Sequence, residues 1–290
     1  MKREITLILI INILFINNLY SYNNKNKCED YLSKDKPTEA INAAKLLTSK
    51  YDSNFCAAKA KYYQNDYAGA IESFEKSTKH AELQADQMYA ILYKGIAQRD
   101  NNEIKASTKT FKHGLETAKL GNSKYMQMEQ KFLYQLGLSL TEMKDYFNAT
   151  DYLAKALMIA ANDDERAESY NSLAVAHASN MKYAKSVEFG LKAANTYQRS
   201  GHRNKYAGAI FSLSNYHFLD GNSSKALSLL EGLERFAKDN GSQYYYAKAL
   251  FEKALLYRKL NKGPESVTSL ESANHIARKI GATDLIAAYK

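Results

Sequence analysis

The stretch KFLYQLGLSLTEMKDYFNATDYLAKA, residues 131–156, decides how the chain is read. Leu133, Leu136, Gly137 and Leu140 recur at intervals of three, four and seven, which marks one face of a helix. Lys144-Asp145 interrupts that pattern. Tyr146, Ala149, Leu153 and Ala156 then form a second stripe at helical spacing. The reading is a helix, a tight polar turn and a second helix. Gly137, Ala149 and Ala156 fall where two packed helices must approach closely.

The pattern recurs along the chain. The small residue of the first helix returns as Ala58, Gly95, Gly137, Ala174, Ser214 and Ala254. The small residue that opens the second helix returns as Ala70, Ser107, Ala149, Ser186, Ala226 and Ser266. A bulky residue follows at Phe74, Phe111, Leu153, Leu230 and Leu270, and Gly190 breaks that column. These columns resemble the tetratricopeptide repeat, with its Leu-Gly pair, aromatic, Ala and bulky residue. The period averages about 39 residues, longer than the usual repeat, and looks like the extended form found in bacterial regulators and sensors. The resemblance implies an all-α fold, a right-handed α-solenoid of stacked helix-turn-helix repeats. It identifies an architecture and no reaction.

Composition agrees with that class. Two prolines and 13 glycines suit a nearly all-helical chain. Gly121, Gly201, Gly241 and Gly281 are placed as left-handed helix stops. The net charge is +9, from 40 basic and 31 acidic residues, and no basic run concentrates it. That charge reads as a solvated basic surface, or as attraction to an acidic partner or an anionic membrane surface. Nucleic acid is set aside as a partner because the start of the chain suggests export.

Residues 1–21 carry Lys2, Arg3 and an apolar run over 5–16, which fits a signal peptide and falls short of a membrane span. The location expected is export, to a bacterial periplasm. The alternative is an uncleaved segment that anchors the chain to the membrane, facing the periplasm. Residues 22–50 read as a linker and a degenerate N-terminal repeat, in which Pro37 opens a helix. Residues 51–281 read as six tetratricopeptide-like repeats. Their helix pairs are expected at 52–64 with 67–81, 84–98 with 103–119, 124–143 with 146–160, 164–179 with 183–199, 205–219 with 223–238, and 243–260 with 264–279. Residues 282–290 begin an unpaired C-terminal helix, which caps the array, docks on a partner or joins two copies as a homo-oligomer. Cys28 and Cys56 fall on successive first helices. Two readings stand for them: a disulfide that staples the end of the array, or two separate small apolar residues.

No phosphate loop, HExxH, GxSxG or CxxC motif occurs, so no catalytic residue is assigned, and the chain is read as no enzyme. No cofactor and no metal site is expected. His177 and His217 share a register, but no third His or Cys joins them. The family implies that first helices line a concave face. By register, that face holds Tyr62, Tyr89, Arg99, Tyr134, Asn171, Phe211, Asn215, Phe218, Lys248 and Arg258, with Phe55, Leu92, Leu138 and Val175 alongside. Asparagine amides pair with an extended backbone, and tyrosine and arginine dominate binding hot spots. The function expected is therefore an exported scaffold that binds a protein or peptide. The family's carboxylate clamp needs Lys, Asn and Arg on three consecutive first helices, and that set is absent. The alternative function is the ligand-sensing region of a membrane signalling system, of histidine kinase or diguanylate cyclase type, without its output domain.

Overall fold

A computed structural model describes residues 26–289. The expected signal peptide lies outside the described residues. Among the described residues there is no strand, and no helix is long and apolar enough to cross a membrane.

Two compact units divide the chain after Met143. The first holds α1 (residues 26–33), α2 (Pro37–Ala44), α3 (Lys50–Tyr63), α4 (Tyr67–His80), α5 (Gln84–Asp100), α6 (Ile104–Leu120), a 3₁₀ turn (Asn122–Tyr125) and α7 (Met126–Glu142). The second holds α8 (Tyr146–Met158), α9 (Asp163–Ser179), α10 (Tyr183–Arg199), α11 (Arg203–Leu219), α12 (Ser223–Asp239), α13 (Gln243–Lys259), α14 (Gly263–Lys279) and α15 (Thr283–Ala288). Within each unit, helices adjacent in sequence pack against each other.

The two small-residue columns explain the hairpins. Each first-helix member precedes its second-helix partner by twelve residues, as in Ala58 and Ala70, Gly95 and Ser107, Ala174 and Ser186, Ser214 and Ala226, and Ala254 and Ser266. At that crossing the backbones come close enough for a hydroxyl to bridge them. Ser214 Oγ donates to the Ala226 carbonyl at 2.9 Å, and Ser266 Oγ donates to the Ala254 carbonyl at 2.8 Å. Gly95 cannot be larger, because a Cβ there would lie 2.3 Å from the buried Phe111 ring. The same spacing relates Cys28 to the fully buried Ala40, so the N-terminal pair α1–α2 follows the register of the others.

Seven residues past each small residue the chain turns through a positive φ. The residues concerned are Asp35, Asn65, Asn102, Lys144, Met181, Gly221 and Asn261, with φ between 54° and 83°. Asn, Asp and Gly tolerate this region, whereas Lys144 and Met181 bear its steric cost. Gly201, Gly241 and Gly281 are left-handed stops, at φ 76°, 68° and 68°. Gly121 differs from expectation. Its φ is −88°, and the left-handed residue is Asn122 at φ 51°. Tyr125 explains the glycine: a Cβ on Gly121 would lie 2.1 Å from its ring. Gly190, the break in the bulky column, lies where α11 fills the space, with Leu213 and Tyr216 each 3.2 Å from where its Cβ would be.

Cys28 and Cys56 form a disulfide between α1 and α3. Around it pack Leu32, Ala40, Ala43, Ala44, Leu47 and Ala60. At the other end, α15 lies against α13 and α14. Tyr289 stacks on Phe251 at 4.6 Å and donates to Glu252 at 2.5 Å, and Tyr244 donates to Asp284 at 2.7 Å.

Candidate functional site

The residues expected on the first-helix face stand in four columns, placed six and three residues before the small residue and one and four after it. Each unit disposes of them differently.

In the first unit this face is largely spoken for by the chain itself. Phe55 packs in a ring cluster with Tyr51, Phe74 and Tyr93, at centroid distances of 5.4, 5.5 and 5.6 Å. Leu92 is buried. Tyr62 donates to Asp100, and burial with that carboxylate beside it pushes the phenol well above its ordinary range. Arg99 is held from two sides. Its Nη1 donates to Gln135 Oε1 at 2.5 Å, and its Nε lies 3.6 Å from both Asp100 and Glu142. Burial raises the Glu142 carboxyl above the usual carboxylate range despite Arg99. A line Tyr62–Asp100–Arg99–Glu142 thus ties α3, α5 and α7 together. Tyr89 is exposed, while Tyr134 and Leu138 are half-buried.

In the second unit the same columns leave an open cleft. It has a volume of ≈ 50 Å³ between α11 and α13. Phe211 and Phe218 form its floor with Leu230 and Leu256, and Asn215 is exposed between the two rings. Lys248 Nζ sits 5.0 Å over Phe211, and Lys259 Nζ sits 5.0 Å over Phe218. Each such cation–ring contact contributes about 0.5–1 kcal/mol at a solvated site. Glu252 lies on α13 between the lysines, and the hydroxyl of Tyr289 donates to it. The cleft is therefore amphipathic, with two aromatic faces, a free-standing amide and two cations around one carboxylate.

Phe211, Asn215 and Phe218 are the expected residues that line this cleft, and Lys248 joins them only through its contact with the Phe211 ring. Arg258 is exposed and does not line it, and Asn171 and Val175 lie on α9 away from it. Lys259, Glu252 and Leu255 line it without having been singled out. Lys259 follows Leu255 by four residues, so the stripe continues by a step of four where a step of three leads to Arg258. Between α9 and the start of α11, Asp164 lies 2.7 Å from the His202 imidazole and Glu168 pairs with Lys205 at 2.7 Å.

His177 is buried in the core, and His217 is half-buried. His177 stacks on Phe189, twelve residues ahead, at 5.4 Å. Burial pushes both imidazoles below their ordinary value. Among the described residues no group of three His, Cys, Asp or Glu side chains is placed to hold a metal ion.

No protein-family profile matches the chain, and no curated protein is similar to it. Solved structures are similar in fold. The apo form of RapI matches with a TM-score of 0.60 at 16% identity, over 90% of this chain and 99% of that one. A tetratricopeptide repeat protein from Parabacteroides merdae matches with a TM-score of 0.59 at 12% identity, over 89% and 93%. The fold is a tetratricopeptide-like repeat array. A Rap protein complexed with Competence and Sporulation Factor also matches it, with a TM-score of 0.59 at 12% identity, over 91% and 88%. At these identities the likeness is one of fold.

Proposed function

We propose that the chain is a non-enzymatic, exported tetratricopeptide-like protein that binds a protein or peptide across the face of its first helices. The α11–α13 cleft carries this reading. Its two rings accept apolar side chains, and the Asn215 amide offers both a donor and an acceptor to an extended backbone. Lys259 in the lining and Lys248 over the Phe211 ring beside it favour acidic groups on the ligand, while Glu252 orients a donor. A Rap protein of similar fold is described in complex with Competence and Sporulation Factor, which supports ligand binding on this architecture. The Cys28–Cys56 disulfide supports an oxidising compartment, in keeping with a signal-like start.

Selection of a random peptide phage library on the whole protein tests the proposal. Recovered peptides should lose at least about tenfold in affinity for the Lys248→Glu/Lys259→Glu variant, as expected when a close charge pair becomes repulsive. Peptides that bind the variant equally well place the site elsewhere.

A further inference from the structure

The three junctions between helix pairs in the first unit each expose one leucine. Leu46, Leu83 and Leu120 are 49%, 64% and 82% exposed, and they follow one another at intervals of 37 residues. All three lie along one edge. The start of α3, the end of α4 and the start of α5 line a common cleft, through Ser49, Lys50, His80, Leu83 and Asp86. The Gln84 side-chain amide at the start of α5 donates to the Thr117 carbonyl near the end of α6, at 3.4 Å. The fold does not demand leucine at such places. The α10–α11 and α12–α13 junctions turn on Gly201 and Gly241, with Ser200, His202, Asn240 and Ser242 as neighbours.

Exposed lysines surround the row. Across residues 45–50, 79–84 and 119–124 stand Lys45, Lys50, Lys79, Lys119 and Lys124, and the one carboxylate is Glu82. Asp52 and Asp86 follow inside α3 and α5, where both are half-buried and line the cleft with Glu82, Lys50 and Leu83, and Lys79 pairs with Glu75 at 3.5 Å. The chain also enters from this side. The Cys28–Cys56 bond and the 2.6 Å Glu29–Lys59 ion pair advance together, so α1 and α3 run in the same direction and α1 starts toward the leucine edge. Directly before α1 stands the sequence that carries Lys2, Arg3, the apolar run 5–16 and Lys25.

We infer that this edge of the first unit docks on an anionic lipid surface, with Leu46, Leu83 and Leu120 entering the interface and the lysines meeting headgroup charge. Apolar side chains that protrude among lysines are the composition of an interfacial contact.

The protein contains no tryptophan, so a single introduced one reports its own surroundings. Leu83→Trp and Leu120→Trp are compared with Met181→Trp, in the α9–α10 turn, on vesicles of phosphatidylcholine with about one third phosphatidylglycerol. The expected result is a blue shift and quenching by brominated lipid for the first two variants and neither for the third. A Leu46→Ser/Leu83→Ser/Leu120→Ser variant should partition roughly tenfold to a hundredfold less onto these vesicles, with an unchanged helical spectrum. The inference fails if the whole chain sediments with vesicles while the Leu83→Trp and Leu120→Trp variants keep water-like emission, because the leader alone then makes the contact. It fails equally if pure phosphatidylcholine binds as well, or if no vesicle binds and the emission shifts with protein concentration instead, which assigns the row to a second copy.

Discussion

Breaking the Cys28–Cys56 bond should release one end of the array and leave the rest folded. Besides the bond, only modest contacts hold α1 and α2. The helices are short, and helices of this length are marginal alone. Their core contributes mostly alanine, with Leu32 and Leu47 as the larger members. The Lys59–Glu29 ion pair is partly exposed and contributes no more than about 1 kcal/mol. Against these modest contacts, the cross-link spans a sequence separation of 28 residues, which limits the opened chain by about 3.5 kcal/mol on the chain-entropy estimate. Loss of the bond should therefore raise the open population of α1–α2 by roughly 400-fold. Native-state hydrogen exchange on the oxidised protein and on the Cys28→Ala/Cys56→Ala variant reads this directly. Amides of residues 26–47 should lose most of their protection, while those of α5 and α6 keep theirs. Equal protection of residues 26–47 in the two proteins would show that packing alone secures this end, and the reasoning would be refuted.

Three further outcomes follow from local features. Met181 sits at φ 55° and is 75% exposed, so Met181→Gly should stabilise the protein by about 0.5–1 kcal/mol in urea titration, because relief of the left-handed strain outweighs the added chain freedom. Gly95→Ala should destabilise by about 1–3 kcal/mol, seen as a lower urea midpoint, because the methyl collides with the Phe111 ring. Burial depresses the His177 imidazole below its ordinary value, so below about pH 6.5 the unfolded chain takes up more protons and stability declines as pH falls toward the depressed value. His177→Tyr, which copies Tyr257 of the same column, should reduce the gap between melting temperatures at about pH 7 and about pH 5; a gap of the same size would assign the acid sensitivity elsewhere.

Helices and turns were legible because they rest on local chemistry. The columns of Ala, Gly and Ser set where helices cross, and Asn65, Asn102 and Asn261 mark the left-handed turns. Gly121 was misleading because a glycine is demanded by a neighbouring ring as well as by φ, and sequence does not separate the two demands. Gly190 looked like a defect because its space is filled from α11, outside its own hairpin. The face of the first helices was legible as a set of columns. Its use was not, since a long side chain such as Arg99 or Tyr62 reaches a neighbour one repeat away as readily as it reaches solvent. Lys259 and Glu252 escaped notice because both steps, three and four, keep a residue on one stripe, and the facing helix selects between them.

Helices in each unit touch chiefly those next to them in sequence. A rope pulled from its two ends strains everywhere at once, but a chain tied only to its near neighbours under tension gives way at its weakest knot. Stretching should pay out the protein in successive lengths, each about one forty-residue pair long or roughly 14 nm of backbone. The cross-linked end would release a shorter length than the others, since the cross-link keeps the strand between Cys28 and Cys56 out of the extension.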